Sequence, residues 1–201
     1  MIESQLPNAV IILTSNASPI TGDKLAKLEK FSHIDSLWIS FNDYREAEYE
    51  VAMQLPYART LERLAMIHQA KASSRFSPQV VLSRVGDGSV VDQAFCIWVK
   101  NKFPLFKVAI CPRGRWLGQT DMRPLSPIDI PHVSCARWFE LSITATGVVA
   151  HCCMDGQALF PIGDVHKQHV LEIYNNPEYR RLRESTVTRL DASPCRNCNF
   201  L

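Results

Sequence analysis

The first apolar stretch, "AVIILTS" (Ala9 to Ser15), is unbroken and β-branched, which predicts a parallel strand covered on both faces. In the following "TGDKLAKLEKFSH", Leu25, Leu28 and Phe31 recur at helical spacing. A second short apolar strand, "SLWISFN" (Ser36 to Asn42), comes next. "YARTLERLAMIHQA" sets Tyr57, Leu61, Leu64, Ala65 and His68 on one stripe, predicting a core-facing helix entered through Pro56. "QVVLSRV" (Gln79 to Val85) reads as a third strand closed by the turn "GDG". "VVDQAFCIWVKNKF" reads as a helix and "FKVAIC" (Phe106 to Cys111) as a fourth strand. Alternation of strand and helix predicts right-handed crossovers and a parallel sheet, with no internal repeat or low-complexity tract.

The pattern changes near residue 124. "PLSPIDIPH" carries three prolines and no helical period, so residues 124–134 read as a linker between segments 1–123 and 135–201. "FELSITATGVVAHCC" then alternates, with Phe139, Leu141 and Ile143 on one face and Glu140, Ser142 and Thr144 on the other. This predicts a half-buried antiparallel strand, a turn at "TATG" using a positive φ at Gly147, and a partner strand from Val148 to Cys152. Two short helices are expected over "DVHKQHVLEIYN" and "PEYRRLRES", the second capped by Asn176 with Pro177 in its first turn.

Composition narrows the function class. The chain has 201 residues, 46% of them hydrophobic, and a formal net charge of +2, so nothing pulls it towards nucleic acid or an anionic membrane. The basic knot "YRRLR" (Tyr179 to Arg183) reads as a solvated helix face. "AVIIL" is too short to span a bilayer and "MIESQLPN" is no signal peptide, which points to the cytoplasm. In a reducing compartment seven cysteines argue for metal or redox chemistry rather than disulfides, and five of them fall in the last third.

Cys135 precedes the expected hairpin and Cys152 ends it, so closing the hairpin brings the two to one end. The tail "PCRNC" supplies Cys195 and Cys198 as a C-x2-C pair, which places two sulfurs on one metal or cluster edge. Four thiolates suit structural zinc or an iron–sulfur cluster equally well. Adjacent strand residues face opposite ways, so Cys153 is expected to be a small buried apolar residue, like Cys96 and Cys111, and His151 to point away from the site. His166 and His169, three apart on a helix, have a spacing that can ligate zinc but read as a solvent-facing pair. "GRWLG" (Gly114 to Gly118) reads as a loop anchor. No P-loop, nucleophile elbow or G-x-G-x-x-G is present, which removes hydrolase and nucleotide-phosphate readings.

The stretch "CARWFELSITATGVVAHCCMD", followed by "IGDVHKQHVLEIYNNPEYRRLRE" and "PCRNC", resembles the SPASM or twitch auxiliary-cluster region of radical S-adenosylmethionine (SAM) enzymes. Upstream, "IILTSNAS", "LWISFNDYREAEYEVAMQLPYARTLERL", "VVLSRVGDG" and "VAICPRGRWLG" resemble the third to sixth strands of that family's barrel. The resemblance implies an α/β fold: a half radical-SAM-type parallel β/α barrel over 1–123, then a small β-hairpin and helices holding one auxiliary 4Fe–4S cluster on Cys135, Cys152, Cys195 and Cys198. It also places Ser40, Asn42 and Arg84 at strand ends where the family contacts SAM.

The family's C-x3-C-x2-C loop and Gly-Gly-Glu-like motif do not occur in the chain. The expectation is therefore a truncated or split radical SAM protein, inactive alone, with SAM as a cofactor only if an N-terminal half is supplied. The alternatives are a non-catalytic zinc module and an inactive gene remnant. Starting at a third strand exposes the edge of "AVIILTS", so the expected partner is that N-terminal half or a second copy covering the edge, with neither nucleic acid nor membrane involved.

Overall fold

Four β-branched runs become the parallel strands β1 (Ile11–Ser15), β2 (Ile34–Ser40), β3 (Gln79–Gly86) and β4 (Lys107–Pro112), paired in the order β1-β2-β3-β4. The molecule is described by a computed structural model over residues 8–120, 130–184 and 186–198. It divides into two compact units, Met1–Arg113 and Gly114–Leu201. Most of the proline-rich segment expected as a linker, residues 124–129, lies outside the described residues.

In the first unit the helices α1 (Gly22–Leu28), α2 (Glu46–Met53), α3 (Tyr57–Ala72) and α4 (Val90–Lys102) alternate with the strands as expected. Register explains the core. Leu13 pairs with Leu37 and Leu37 with Val80, while Ile39 pairs with Leu82 and Leu82 with Val108, so these side chains form rows on one face. Against those rows pack Leu25 from α1, Tyr49 from α2, Leu64, Ile67 and Ala70 from α3, and Phe95 and Val99 from α4. Every helix thus contributes to a core on the same side of the sheet, the layering of half a β/α barrel. The expected coverage of β1 on both faces does not hold, since Ile12 and Thr14 on the other face are exposed. Phe41, just beyond β2, is fully buried among the rings of Tyr49, Tyr57, Phe95 and Trp98, a cluster that fixes how α2, α3 and α4 meet.

Several details of the helices depart from the sequence pattern. α1 ends at Leu28, before Phe31, which is exposed. On α3 the buried stripe is Thr60, Leu64, Ile67 and Ala70, with Ala65 exposed, because a 3.6-residue period through Leu64 falls on Thr60 and Ile67. The Thr60 hydroxyl is tolerated there because the buried Tyr49 hydroxyl donates to it at 2.8 Å. α2 has no counterpart in the sequence reading. Tyr49 is its single buried residue, too little for a periodic signal.

The second unit opens with a short 3₁₀ turn at Trp116–Gly118 and contains an antiparallel sheet of β5 (Ser142–Ile143), β6 (Val148–Ala150) and β7 (Pro161–Asp164). The turn between β5 and β6 uses Gly147 at φ +81°, as its position predicted. The long alternating strand does not form. Residues Ala136–Phe139 make a 3₁₀ turn, so Trp138 is fully buried while Phe139 and Ile143 are exposed. Two short helices follow, α5 (Val170–Tyr174) and α6 (Pro177–Arg181), the latter capped by Asn176, whose side chain accepts from the Tyr179 N–H at 2.8 Å. Tyr179 plugs the centre of this unit. Its hydroxyl lies within hydrogen-bond reach of the carbonyls of Glu140 (3.0 Å), His151 (3.2 Å) and Arg137 (3.3 Å). Only Arg180 and Arg181 of the basic knot are exposed on α6; Arg183, just beyond it, lies over the Tyr174 ring at 4.0 Å and donates to its carbonyl. Among the described residues no helix is long and apolar enough to cross a membrane.

Candidate metal centre

Four thiols that the chain spreads from residue 135 to residue 198 end up buried in the second unit. Cys135 caps the 3₁₀ turn at Ala136–Phe139, and Cys152 sits two residues past the end of β6. Cys195 opens a terminal 3₁₀ turn and Cys198 closes it, its N–H donating to the Cys195 carbonyl at 2.9 Å. Relative exposure is 8% for Cys135, 7% for Cys152, 4% for Cys195 and 6% for Cys198. Cys135 packs with Trp138, Ala192 and Cys195, while Cys152 packs with Leu117, Met154 and Cys198. Charge interactions join the two groups: Cys195 feels both Cys135 and Cys198, and Cys152 feels both Cys195 and Cys198.

The sulfurs are supplied with donors. The indole N–H of Trp138 donates to Cys195 Sγ at 3.3 Å, and His151 Nε2 lies 3.2 Å from the same sulfur. The backbone N–H of Met154 donates to Cys152. Burial pushes the Cys152 thiol up to about 12, with the neighbouring cysteine charges adding to the effect and the Met154 N–H opposing it. Burial likewise pushes Cys195 up to about 11, opposed by the Trp138 N–H and the charge of the buried Arg189. Both thiols are therefore protonated at neutral pH, and binding of a metal would release those protons. Burial holds His151 below its ordinary value, partly offset by the Asp155 carboxylate, so the ring is neutral.

Residues 135–199 match the family model of the SPASM domain, described as an iron–sulfur cluster-binding domain. This segment is a SPASM domain. No curated protein matches the sequence. Two solved structures are similar in arrangement. "Crystal structure of BtrN in complex with AdoMet and 2-DOIA" is 13% identical, covers 96% of this chain and 94% of its own, and has a TM-score of 0.40. "Crystal structure of SeMet BtrN in an OPEN conformation" is 13% identical, covers 97% and 94%, and has a TM-score of 0.36.

The donor set of this SPASM domain fits an iron–sulfur cluster: four buried thiols in apolar surroundings, two of them already accepting N–H hydrogen bonds. Among the described residues no three His, Cys, Asp or Glu side chains converge on one metal-ion position. The wall includes Leu117, from the "GRWLG" stretch, and beside it Asp155 is buried and accepts from Gln119 Nε2 and from the N–H groups of Leu159 and Phe160.

Three expectations about the neighbours need correction. His151 points at Cys195 rather than away, because β6 stops at Ala150 and the two-residue alternation no longer applies. Cys153 is exposed, since the same bend that buries Cys152 turns its neighbour outwards; Cys96 and Cys111 are only half-buried. His166 and His169 do not share a helix. His169 is the N-cap of α5, its Nδ1 accepting from Leu171 N–H while Glu172 accepts from His169 N–H, and His166 lies in the preceding turn. Both rings are on exposed residues, as a solvent-facing pair should be. Trp138 was not foreseen as part of the site; the tryptophan three residues after Cys135 was the only signal.

Ser40, Asn42 and Arg84 belong to the first unit, at the ends of β2 and β3. Asn42 adopts a left-handed φ of +61°, its side chain donating to Met53 Sδ and accepting from Val85 N–H, both at 3.0 Å. Arg84 pairs with Asp92 at 2.7 Å and Asp43 at 3.0 Å, and donates to the Asn42 carbonyl. Both side chains are thus engaged within that unit. The hydrogen bond from Arg84 holds Asp92 below the usual carboxylate range. For Asp43 burial works upwards, but hydrogen bonds from Arg45 and the charges of Arg45 and Arg84 outweigh it and hold the carboxyl low.

Proposed function

We propose that this protein holds one auxiliary 4Fe–4S cluster through Cys135, Cys152, Cys195 and Cys198, as part of a radical SAM system. The observation that carries the reading is the burial of these four separated cysteines within the segment that matches the SPASM model, Cys135 packed with Cys195 and Cys152 with Cys198. When bound, a cluster with all four corners thiolate-ligated supplies one-electron transfer and offers no open iron to SAM. The chain's own residues do the rest. The terminal turn delivers Cys195 and Cys198 as a pair, Trp138 and Leu117 wall the thiols from water, and Tyr179 ties the carbonyls of Glu140 and His151 into one frame. Zinc would require the four sulfurs to close on one ion, at about 2.3 Å each. A cluster would take the four thiolates on four separate irons.

These 201 residues contain no C-x3-C-x2-C, so none of them supplies the SAM-cleaving cluster of such a system. All seven cysteines are free, in keeping with a cytoplasmic setting. The test is anaerobic isolation followed by metal and sulfide analysis. The expected result is about four iron and four acid-labile sulfide per chain with broad visible charge-transfer absorption. Stoichiometric zinc without that absorption would sink the assignment.

A further inference from the structure

Both ring donors of the site converge on one of its four sulfurs. Trp138 Nε1 is 3.3 Å and His151 Nε2 is 3.2 Å from Cys195 Sγ, and both rings are buried. An indole N–H can only donate, and a ligating thiolate can only accept, so ligation by Cys195 fixes His151 as the Nε2–H tautomer. The rings are firmly seated. Trp138 has no solvent exposure, and His151 stands edge-on to the buried Tyr179 ring at 5.9 Å and 83°. The buried Arg189 adds a positive charge that acts on the same cysteine. Each of these features favours negative charge at the Cys195 corner over its absence.

We infer that Trp138 and His151 are positioning residues that set the reduction potential of the cluster by donating two N–H hydrogen bonds to the Cys195 sulfur. Reduction adds an electron to the cluster and so negative charge to its thiolate sulfurs, and fixed N–H dipoles stabilise that state more than the oxidised one. The potential is therefore higher than four bare thiolates would give. This inference rests on the cluster reading above and adds to it a role for two residues that carry no ligand atom.

The experiment is a redox titration of the anaerobically reconstituted full chain, followed by visible absorbance and electron paramagnetic resonance. Trp138→Phe keeps an aromatic ring and removes the N–H; His151→Phe does the same. Each is expected to lower the midpoint potential at unchanged iron content, and the double variant to lower it further. His151→Gln keeps an N–H donor and is expected to stay nearer the wild type than His151→Phe. Should Trp138→Phe fail to hold its cluster, the comparison of the two His151 variants carries the test. Unchanged potentials in fully loaded variants would overturn the inference while leaving the cluster standing. A wild-type chain that takes up only zinc would overturn both.

Discussion

Cys152 and Cys153 are chemically identical neighbours with opposite fates. The first is buried among Leu117, Met154 and Cys198, and the second is exposed. Cys152→Ala is therefore expected to lose the cluster entirely, and Cys153→Ser to retain full iron and sulfide, checked by metal analysis of both variants purified in parallel. Retention of a full cluster by Cys152→Ala would remove it from the ligand set. Residue types and spacing singled out four thiols, and the structure buries all four. The surroundings of Cys195 were not legible. Trp138 and His151 reach it across 57 and 44 residues of chain, and a rule of strand alternation pointed His151 the wrong way. That rule holds only while the strand lasts, and β6 ends one residue too soon.

Among the elements, the parallel strands announced themselves as short β-branched apolar runs, and α1 and α3 through the helical spacing of their apolar residues. α2 and β7 did not, since each buries too little to leave a pattern. Gly147 is the element-scale feature that sequence and structure share most closely. Its φ of +81° lies where a side chain is strained, and an added Cβ would fall 2.5 Å from His166 Nε2, an exposed ring that can move aside. Gly147→Ala is expected to cost about 1–2 kcal/mol, mostly conformational. Denaturant unfolding of the two proteins measures it, and a loss below about 0.5 kcal/mol, the level of an ordinary surface substitution, would mean the turn can relax. In the first unit, Arg84 bridges Asp43 and Asp92; its hydrogen bond holds the Asp92 carboxyl low, and its charge adds to the larger effect of Arg45 on Asp43. A depressed carboxyl stabilises the fold above its unfolded value of 3.8, and the contribution disappears as pH falls through the folded value. Arg84→Met should thus be less stable than the wild type at neutral pH and show a flatter melting temperature between about pH 5 and pH 2. Parallel curves would show that the pairing contributes nothing to acid stability.

At the scale of the whole molecule, the parallel sheet ends in two outer strands, β1 and β4, whose far edges pair with nothing among the described residues. β1 is the more consequential, because Val10 and Ile12 on and beside it are 72% and 61% exposed. Unpaired N–H and C=O groups next to exposed branched apolar side chains are a template for another strand. In a purified preparation a second copy of this chain is the partner available to meet it. The isolated chain is accordingly expected to self-associate in light scattering, with association increasing with concentration. Ile12→Lys places a charge where a docking strand would lie and should shift the population to monomer without loss of helical circular dichroism, since Ile12 lies outside the helix-covered core. A wild-type chain that stays monomeric at high concentration would mean the β1 edge is protected, and the expectation of a strand-donating partner would fall with it.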